Sequence, residues 1–340
     1  MVSLVASLWT LSVSYAAERG DTAAIVLMYH RFDDNRYPST NTSMENFRAH
    51  VETIKNEGFT IVPLADVVGA LTSQTSLPAN SVAITIDDAY DSVYEKAWPY
   101  LRENEIPFTL FVATQPVANG QPGYMTPAQL RELANAPGVS IANHGHTHRS
   151  LAFVDRKTAR EEIDVAAKLL TEWTGAAPPD VFAYPYGEMG EGALQAVDDF
   201  GFAAAFGQHS GPAGAFQGRY YLSRFPMSGS YANLDRLREA LNTRPLPHST
   251  FSPAGAAVRH TSPPDYIEFT LSSNLERARL TCFSGGSRID VEGDGQRILV
   301  PFPSNPEPPR WRLNCTHPAP NGRWYWLGWQ AAVENGESRE

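Results

Sequence analysis

The stretch VAITIDD, Val82 to Asp88, decides the fold. Its first five residues form an apolar run rich in β-branched side chains and read as a strand, and two carboxylates stand at the strand's end. Outward from it the same unit recurs. Ala24–Tyr29 (AIVLMY), Phe59–Leu64, Ile106–Val112 (IPFTLFV), Val139–Ala142 (VSIA), Val181–Tyr184, Phe202–Phe206 and Tyr220–Ser223 read as further strands. Helical patterns lie between them. Ser43 caps a helix whose Phe47, Val51 and Ile54 fall at helical spacing and which Gly58 closes. Asp91–Asn104 is a helix kinked at Pro99, Thr126-Pro127 opens another, and Arg156–Trp173 runs until Gly175. Strands alternating with helices give right-handed βαβ units and a parallel sheet. Repeated this often over residues 23–241, the pattern predicts a distorted, TIM-like (β/α) barrel of about seven strands. No glycine-rich phosphate loop stands at any strand–helix junction, so a nucleotide site has nothing to rest on.

Composition narrows the function. At 340 residues the chain exceeds one ordinary core, and with 42% hydrophobic and 19% charged residues it is a folded protein. A formal net charge of −10 speaks against nucleic acid as a partner. Beyond the N-terminus no apolar run is long enough to span a membrane. Residues 1–16 are uncharged and largely apolar and end in small residues, the outline of a signal peptide. A periplasmic or secreted protein is expected, the alternative being anchorage through an uncleaved N-terminus. After Leu241 the alternation stops. Residues 242–264, rich in Pro, Ser, Gly and Ala, read as a linker. Residues 265–335 read as a small all-β domain, with strands at Tyr266–Leu271, Arg297–Val300 and Trp324–Trp329. Export would let Cys282 and Cys315 pair, stapling a domain near the lower size limit by about 3–4 kcal/mol; two buried thiols are the alternative. Trp311, Trp324, Trp326 and Trp329 crowd this domain, either as a platform that stacks on sugar rings or as the core of a small sandwich.

The polar residues that carry chemistry fall at strand ends: His30, the Asp87-Asp88 pair, His144, His146 and His148, Tyr186 and Arg224. In a parallel barrel these ends share one face, the face that holds active sites. His144 and His148, four apart, can meet on one side of a helical turn and bind one metal ion. Two adjacent carboxylates are costly to bury together. A metal on one of them relieves that cost and leaves the other free to take a proton from water. The competing reading of the pair is a helix N-cap.

These residues carry a family resemblance. Thr85-Ile-Asp-Asp88 resembles the T-F-D-D motif of the polysaccharide deacetylases, the NodB-homology family or carbohydrate esterase family 4. Asn143-His-Gly-His-Thr-His148 is similar to that family's H-x-x-x-H motif, and Phe182-Ala-Tyr-Pro-Tyr-Gly187 to its R-x-P-Y-G motif. Leu27-Met-Tyr-His-Arg-Phe32 is similar to the opening of a subgroup that deacetylates exopolysaccharides such as poly-β-1,6-N-acetylglucosamine. The resemblance covers residues 23–228. It implies a metal-dependent hydrolase that removes acetyl groups from N-acetylglucosamine-containing polysaccharide. Asp88, His144 and His148 would hold one divalent metal, zinc, with Asp87 as the general base. The Tyr186 backbone N–H would steady the oxyanion, within a substrate contact made of Tyr184, Pro185 and Tyr186. Two departures accompany it. Ala183 stands where the family has a base-orienting arginine, and Arg224 is the substitute. The late L-x-H motif that supplies the family's general acid has only Leu246-Pro-His248 to match it, in the linker, so His30 is the substitute. An O-acetyl glycan esterase, or a glycan-binding scaffold with little turnover, are the alternatives.

Overall fold

The computed structural model describes residues 22–73, 76–253, 255–259, 261–307 and 309–334; the expected signal peptide lies outside them. Six parallel strands build the main sheet: β1 (Ala23–Tyr29), β2 (Ser81–Asp87), β3 (Phe108–Val112), β4 (Val139–Asn143), β5 (Val181–Ala183) and β6 (Ala204–Phe206), in the order β1-β2-β3-β4-β5-β6. All seven residues of β2 are buried. That follows from having the next strands on its edges and apolar packing on both faces. A seventh strand, β7 (Phe225–Pro226), runs parallel to β1. Leu222, three residues earlier, bridges to Phe206 of β6. The segment 222–226 thus spans the gap between the two ends of the sheet and curls it toward a barrel.

Register brings the strand ends level. Ile86 pairs with Leu110, Phe111 with Ala142, Asn143 with Phe182, and Ala183 with Phe206. The residues just past these pairs therefore emerge side by side on one rim. Helices outside the sheet follow the sequence pattern closely. Ser43 accepts a hydrogen bond from Asn46 N–H at the head of α1 (Met44–Asn56), which buries Phe47, Val51 and Ile54. Thr126 and Gln129 form a reciprocal capping box at the start of the helix Pro127–Ala134. Around Pro99 the chain forms a π turn (Val93–Ala97) followed by the short helix Trp98–Glu103. Proline's missing N–H costs nothing in a first turn.

Three readings need correction. Tyr220–Ser223 is a turn with one bridge, not a strand, and the pairing passes to β7. Phe59–Leu64 reduces to Thr60–Ile61, because a helix begins at Leu64 directly after Pro63. Residues 242–264 are not a free linker. They supply β8 (Thr243–Pro245) and β10 (Ala257–Val258), both parallel to β16 (Trp324–Val333), and β9 (His248–Ser252), which pairs with β11 (Tyr266–Leu271). Backbone pairing at a sheet edge needs no apolar alternation, so this order is invisible in a Pro- and Ser-rich stretch.

The all-β region therefore begins at Thr243. One sheet runs β8-β16-β15-β12-β13, with β12 at Thr281–Ser284, β13 at Ser287–Ile289 and β15 at Arg310–Pro318. The other runs β9-β11-β14, with β14 at Arg297–Pro301. Cys282 and Cys315 are register partners on β12 and β15 and are joined by a disulfide. Of the four tryptophans, Trp329 lies in the core. Trp326 packs 5.8 Å from Phe225 of the barrel, and Trp324 is 46% exposed. Two of the four thus face inward or across to the barrel, so the four do not form a single sugar-stacking surface.

Candidate metal and catalytic site

Asp87 and Asp88 end β2 but face different partners. The Asp87 carboxylate accepts both arms of the Arg224 guanidinium at 2.8 Å each, and both side chains are wholly buried. Arg224 is itself fixed by donating to Gly207 O (3.0 Å) and Thr85 Oγ1 (3.1 Å), with its guanidinium 5.4 Å from the Phe111 ring centre. Ala183 has no side chain to reach Asp87, and the guanidinium arrives instead from the segment that closes the sheet. Burial works to raise the Asp87 carboxyl, but Arg224 and the neighbouring His144 and His30 hold it below its ordinary value.

Asp88 leaves the strand in the left-handed region, φ +80°, followed by Ala89 at +58°. Its Oδ1 lies 3.0 Å from His148 Nε2 and 3.4 Å from His144 Nε2. Burial pushes its carboxyl up, and the two histidines hold it well below the usual range. One donor atom each from Asp88, His144 and His148 lies within 4.8 Å of the others. The set fits a divalent metal on its own chemistry. Asp88 Oδ1 and His144 Nε2 are buried without a hydrogen-bond partner. His144 Nδ1 donates to Ala183 O at 2.7 Å, which leaves the lone pair on Nε2.

The two histidines do not meet on a helical turn, as the spacing predicts. They are brought together by an irregular loop, with Gly145 at φ +77° and His148 at +58°. A buried acid holds that loop: Glu162 accepts from the N–H groups of His146 (3.0 Å) and Thr147 (2.7 Å) and from Thr147 Oγ1 (2.7 Å). Asn143 Oδ1 accepts from Gly145 N–H at 2.8 Å. His146 pairs with Thr114 Oγ1 at 2.9 Å and is not one of the three grouped donors. Glu162 was missed in the sequence, yet its signal is there. It shares the buried face of the helix Arg156–Thr174 with Ala159, Ile163, Ala166, Leu170 and Trp173. A carboxylate on such a stripe needs a polar partner.

Among the described residues nine non-glycine positions have positive φ, and four of them, Asp88, Ala89, His148 and Tyr186, line this site. Backbone strain of about 1–3 kcal/mol each persists only where the surroundings over-determine it. His30, at the end of β1, is buried with Nδ1 unpartnered. Burial lowers its pKa while Asp88 and Asp87 pull it back up. Tyr186 is 38% exposed, its ring 4.5 Å from that of His148. Tyr184 and Pro185, expected as substrate contacts, are buried, Tyr184 completely and packed against Phe182 and Tyr221. Of that motif only Tyr186 reaches the surface, at the turn that follows the end of β5. His248 lies apart: Nδ1 is bonded to Leu246 O, and its ring packs on Phe251 and Phe269 in the sandwich. Tyr90 and Tyr124, ring centres 4.9 Å apart, flank Asp88, and the Arg31 guanidinium stacks 3.3 Å above Tyr90. These aromatic walls were not anticipated from sequence.

Residues 74–205 match the family described as polysaccharide deacetylase. YxkH of Bacillus subtilis (strain 168), whose name assigns it provisionally to the polysaccharide deacetylases, is 26% identical over 203 residues, covering 60% of this chain and 71% of that protein. The poly-β-1,6-N-acetyl-D-glucosamine N-deacetylase of Escherichia coli (strain K12) is 25% identical over 236 residues. That match covers 57% of this chain and only 35% of the longer enzyme. Among solved structures, IcaB from Ammonifex degensii superposes with a TM-score of 0.57 at 22% identity, over 64% of this chain and 97% of that one. The structural likeness carries the fold.

Proposed function

We propose that this chain, whose residues 74–205 belong to a polysaccharide deacetylase domain, removes N-acetyl groups from a β-1,6-linked N-acetylglucosamine polysaccharide. The observation that carries the reading is the division of labour at the end of β2: one carboxylate joins two histidines, and the other is held ionised beside them by a buried arginine. A binding scaffold has no use for a free base in that position.

Asp88, His144 and His148 would hold the metal. Zinc suits a donor set of two imidazoles and one carboxylate. When bound, the ion supplies a Lewis acid that acidifies water and polarises the acetyl carbonyl. Asp87 accepts a proton at a carboxylate lone pair that Arg224 leaves open, since an ionised carboxylate offers about four acceptor sites. The Tyr186 N–H donates to the oxygen that becomes negative as the carbonyl carbon turns tetrahedral. His30, beside both aspartates, delivers a proton to the leaving amine. Burial lowers its pKa and leaves the resting imidazole neutral, so the proton it passes on is the one that Asp87 takes from water. The exposed Tyr186 ring and the half-buried Tyr124 offer flat faces to sugar rings, while Tyr90 is buried behind them under Arg31. The leader-like residues 1–16 and the Cys282–Cys315 disulfide favour an exported enzyme. Among the described residues no helix is long and apolar enough to cross a membrane.

The test is acetate release from β-1,6- and β-1,4-linked N-acetylglucosamine oligomers and from acetylated xylan, before chelation, after it, and after zinc return. Zinc-restored release from the β-1,6 oligomers is expected. A protein that binds one zinc yet releases no acetate from any of them would overturn the reading.

A further inference from the structure

The turn that carries Tyr186 is held from outside the barrel. Tyr186 sits at φ +60°, ψ +5°, a conformation an L-residue keeps only under external constraint. Gly187 follows at φ +66°, where any Cβ would fall 2.3 Å from Gln208 N. The strand that meets this turn is β16 of the C-terminal sandwich. It is seated directly on the barrel: a Cβ at Gly328 would fall 1.8 Å from Ser210 O.

From β16 the wholly buried Gln330 sends its amide nitrogen to Tyr186 O at 3.1 Å, with Gly187 O at 3.4 Å. Its Oε1 accepts from Arg312 Nε at 3.0 Å. The Tyr221 hydroxyl lies between the two elements, 2.8 Å from Gly187 O and 3.1 Å from Gln330 O. One residue on, Arg310 of β15 donates to Glu188 Oε1 at 2.6 Å and its guanidinium lies 5.5 Å from the Tyr186 ring centre. A buried amide is costly unless both its ends are bonded. Here both ends are, and the donor end is used on the two carbonyls of the strained turn.

We propose that the C-terminal sandwich is part of the catalytic unit, and that Gln330 is a positioning residue that acts through Tyr186. Pinning the Tyr186 carbonyl fixes the peptide plane that follows it, and with it the strained backbone that aims the Tyr186 N–H. The inference rests on the deacetylase reading for its effect on turnover. Its structural half, that Gln330 holds the turn, stands separately.

The experiment uses the full chain with Gln330→Met, which fills the space but donates nothing, and Gln330→Glu, which sets a carboxylate against the two carbonyls. Zinc titration, kcat and KM on β-1,6 oligomers, and amide hydrogen exchange are measured together. Zinc affinity and KM should stay within about twofold, while kcat falls about 10- to 100-fold, the scale of a displaced catalytic group. Exchange should quicken at residues 186–188 and not across the chain. Unchanged kcat with unchanged exchange at 186–188 would overturn the proposal. So would a loss spread evenly over zinc binding, KM and global exchange, which marks ordinary structural support. If Gln330→Met does not fold, Tyr221→Phe, which removes the second hold on Gly187 O, must give the same split in smaller measure. If the wild-type chain releases no acetate, the deacetylase reading fails, and exchange at 186–188 alone decides whether Gln330 holds the turn.

Discussion

Replacing Arg224 with methionine keeps much of the side-chain volume and removes the guanidinium from a pair in which neither side chain touches solvent. The Asp87 carboxylate then loses two charge-assisted hydrogen bonds of 2.8 Å, and Thr85 Oγ1 and Gly207 O lose a donor as well. Breaking one side of a buried ion pair costs about 3–5 kcal/mol, chiefly because the surviving charge is left unpaired. Urea unfolding at pH 7 should show a loss of that size. Asp87 can escape the cost only by taking up a proton. Its carboxyl pKa, held low by Arg224, therefore rises, and the acid limb of the pH–rate profile moves to higher pH. Arg224→Lys keeps the charge without the fork and should fall between the two. The double variant Arg224→Met, Asp87→Leu should recover most of the lost stability while staying inactive, because no buried charge remains. An Arg224→Met protein as stable as the parent, with an unmoved acid limb, would refute the reasoning.

Asp87→Asn should bind zinc as the parent does and lose at least about 100-fold in kcat, the scale of a lost general base; normal turnover would remove Asp87 from that role. His148→Ala should lower zinc occupancy measured by metal analysis after dialysis, since two ligands hold an ion far less well than three; full stoichiometry would sink the ligand assignment. Folding stability should fall in acid through two buried neutral histidines. His50 is lowered to about 4, bonded to Tyr29 OH and Ala232 O, and His209 is lowered to about 3 by burial and the Arg224 charge. Both titrate near 6.5 when unfolded. The unfolded chain then binds more protons below that value, so their contribution is complete above about pH 6.5 and is lost as pH drops toward the folded values, on the order of 3 kcal/mol for His50. A His50→Gln variant whose stability falls as steeply between pH 6.5 and 4 would count against this. Opening the Cys282–Cys315 bridge, which spans 33 residues, should cost the sandwich about 4 kcal/mol in the chain-entropy account, read as a lower urea midpoint under reductant.

Sequence alone determined the parts that local chemistry dictates. Apolar runs of β-branched residues between capped helices can pack only as a parallel sheet with its strand ends on one rim. That alone gathers Asp87, Asp88, His144, His148 and Tyr186 at one face. Helix starts at Ser43 and Thr126 were legible for the same reason, since a cap is a contact between residues three apart. The chain-distant contacts were settled by the tertiary structure. Arg224 is legible as the stand-in for the arginine missing at Ala183, but its two-armed closure on Asp87 across 137 positions is a tertiary contact. Tyr184, one residue past the end of β5, is wholly buried against Phe182 and Tyr221. β8 and β10 exist because β16 offers an edge, and β9 because β11 does; edge pairing is written in the backbone, not in side chains. Gln330 meets Tyr186 across 144 positions. A buried amide on a strand shows no partner in sequence, because hydrogen bonds, unlike burial, have no period along the chain.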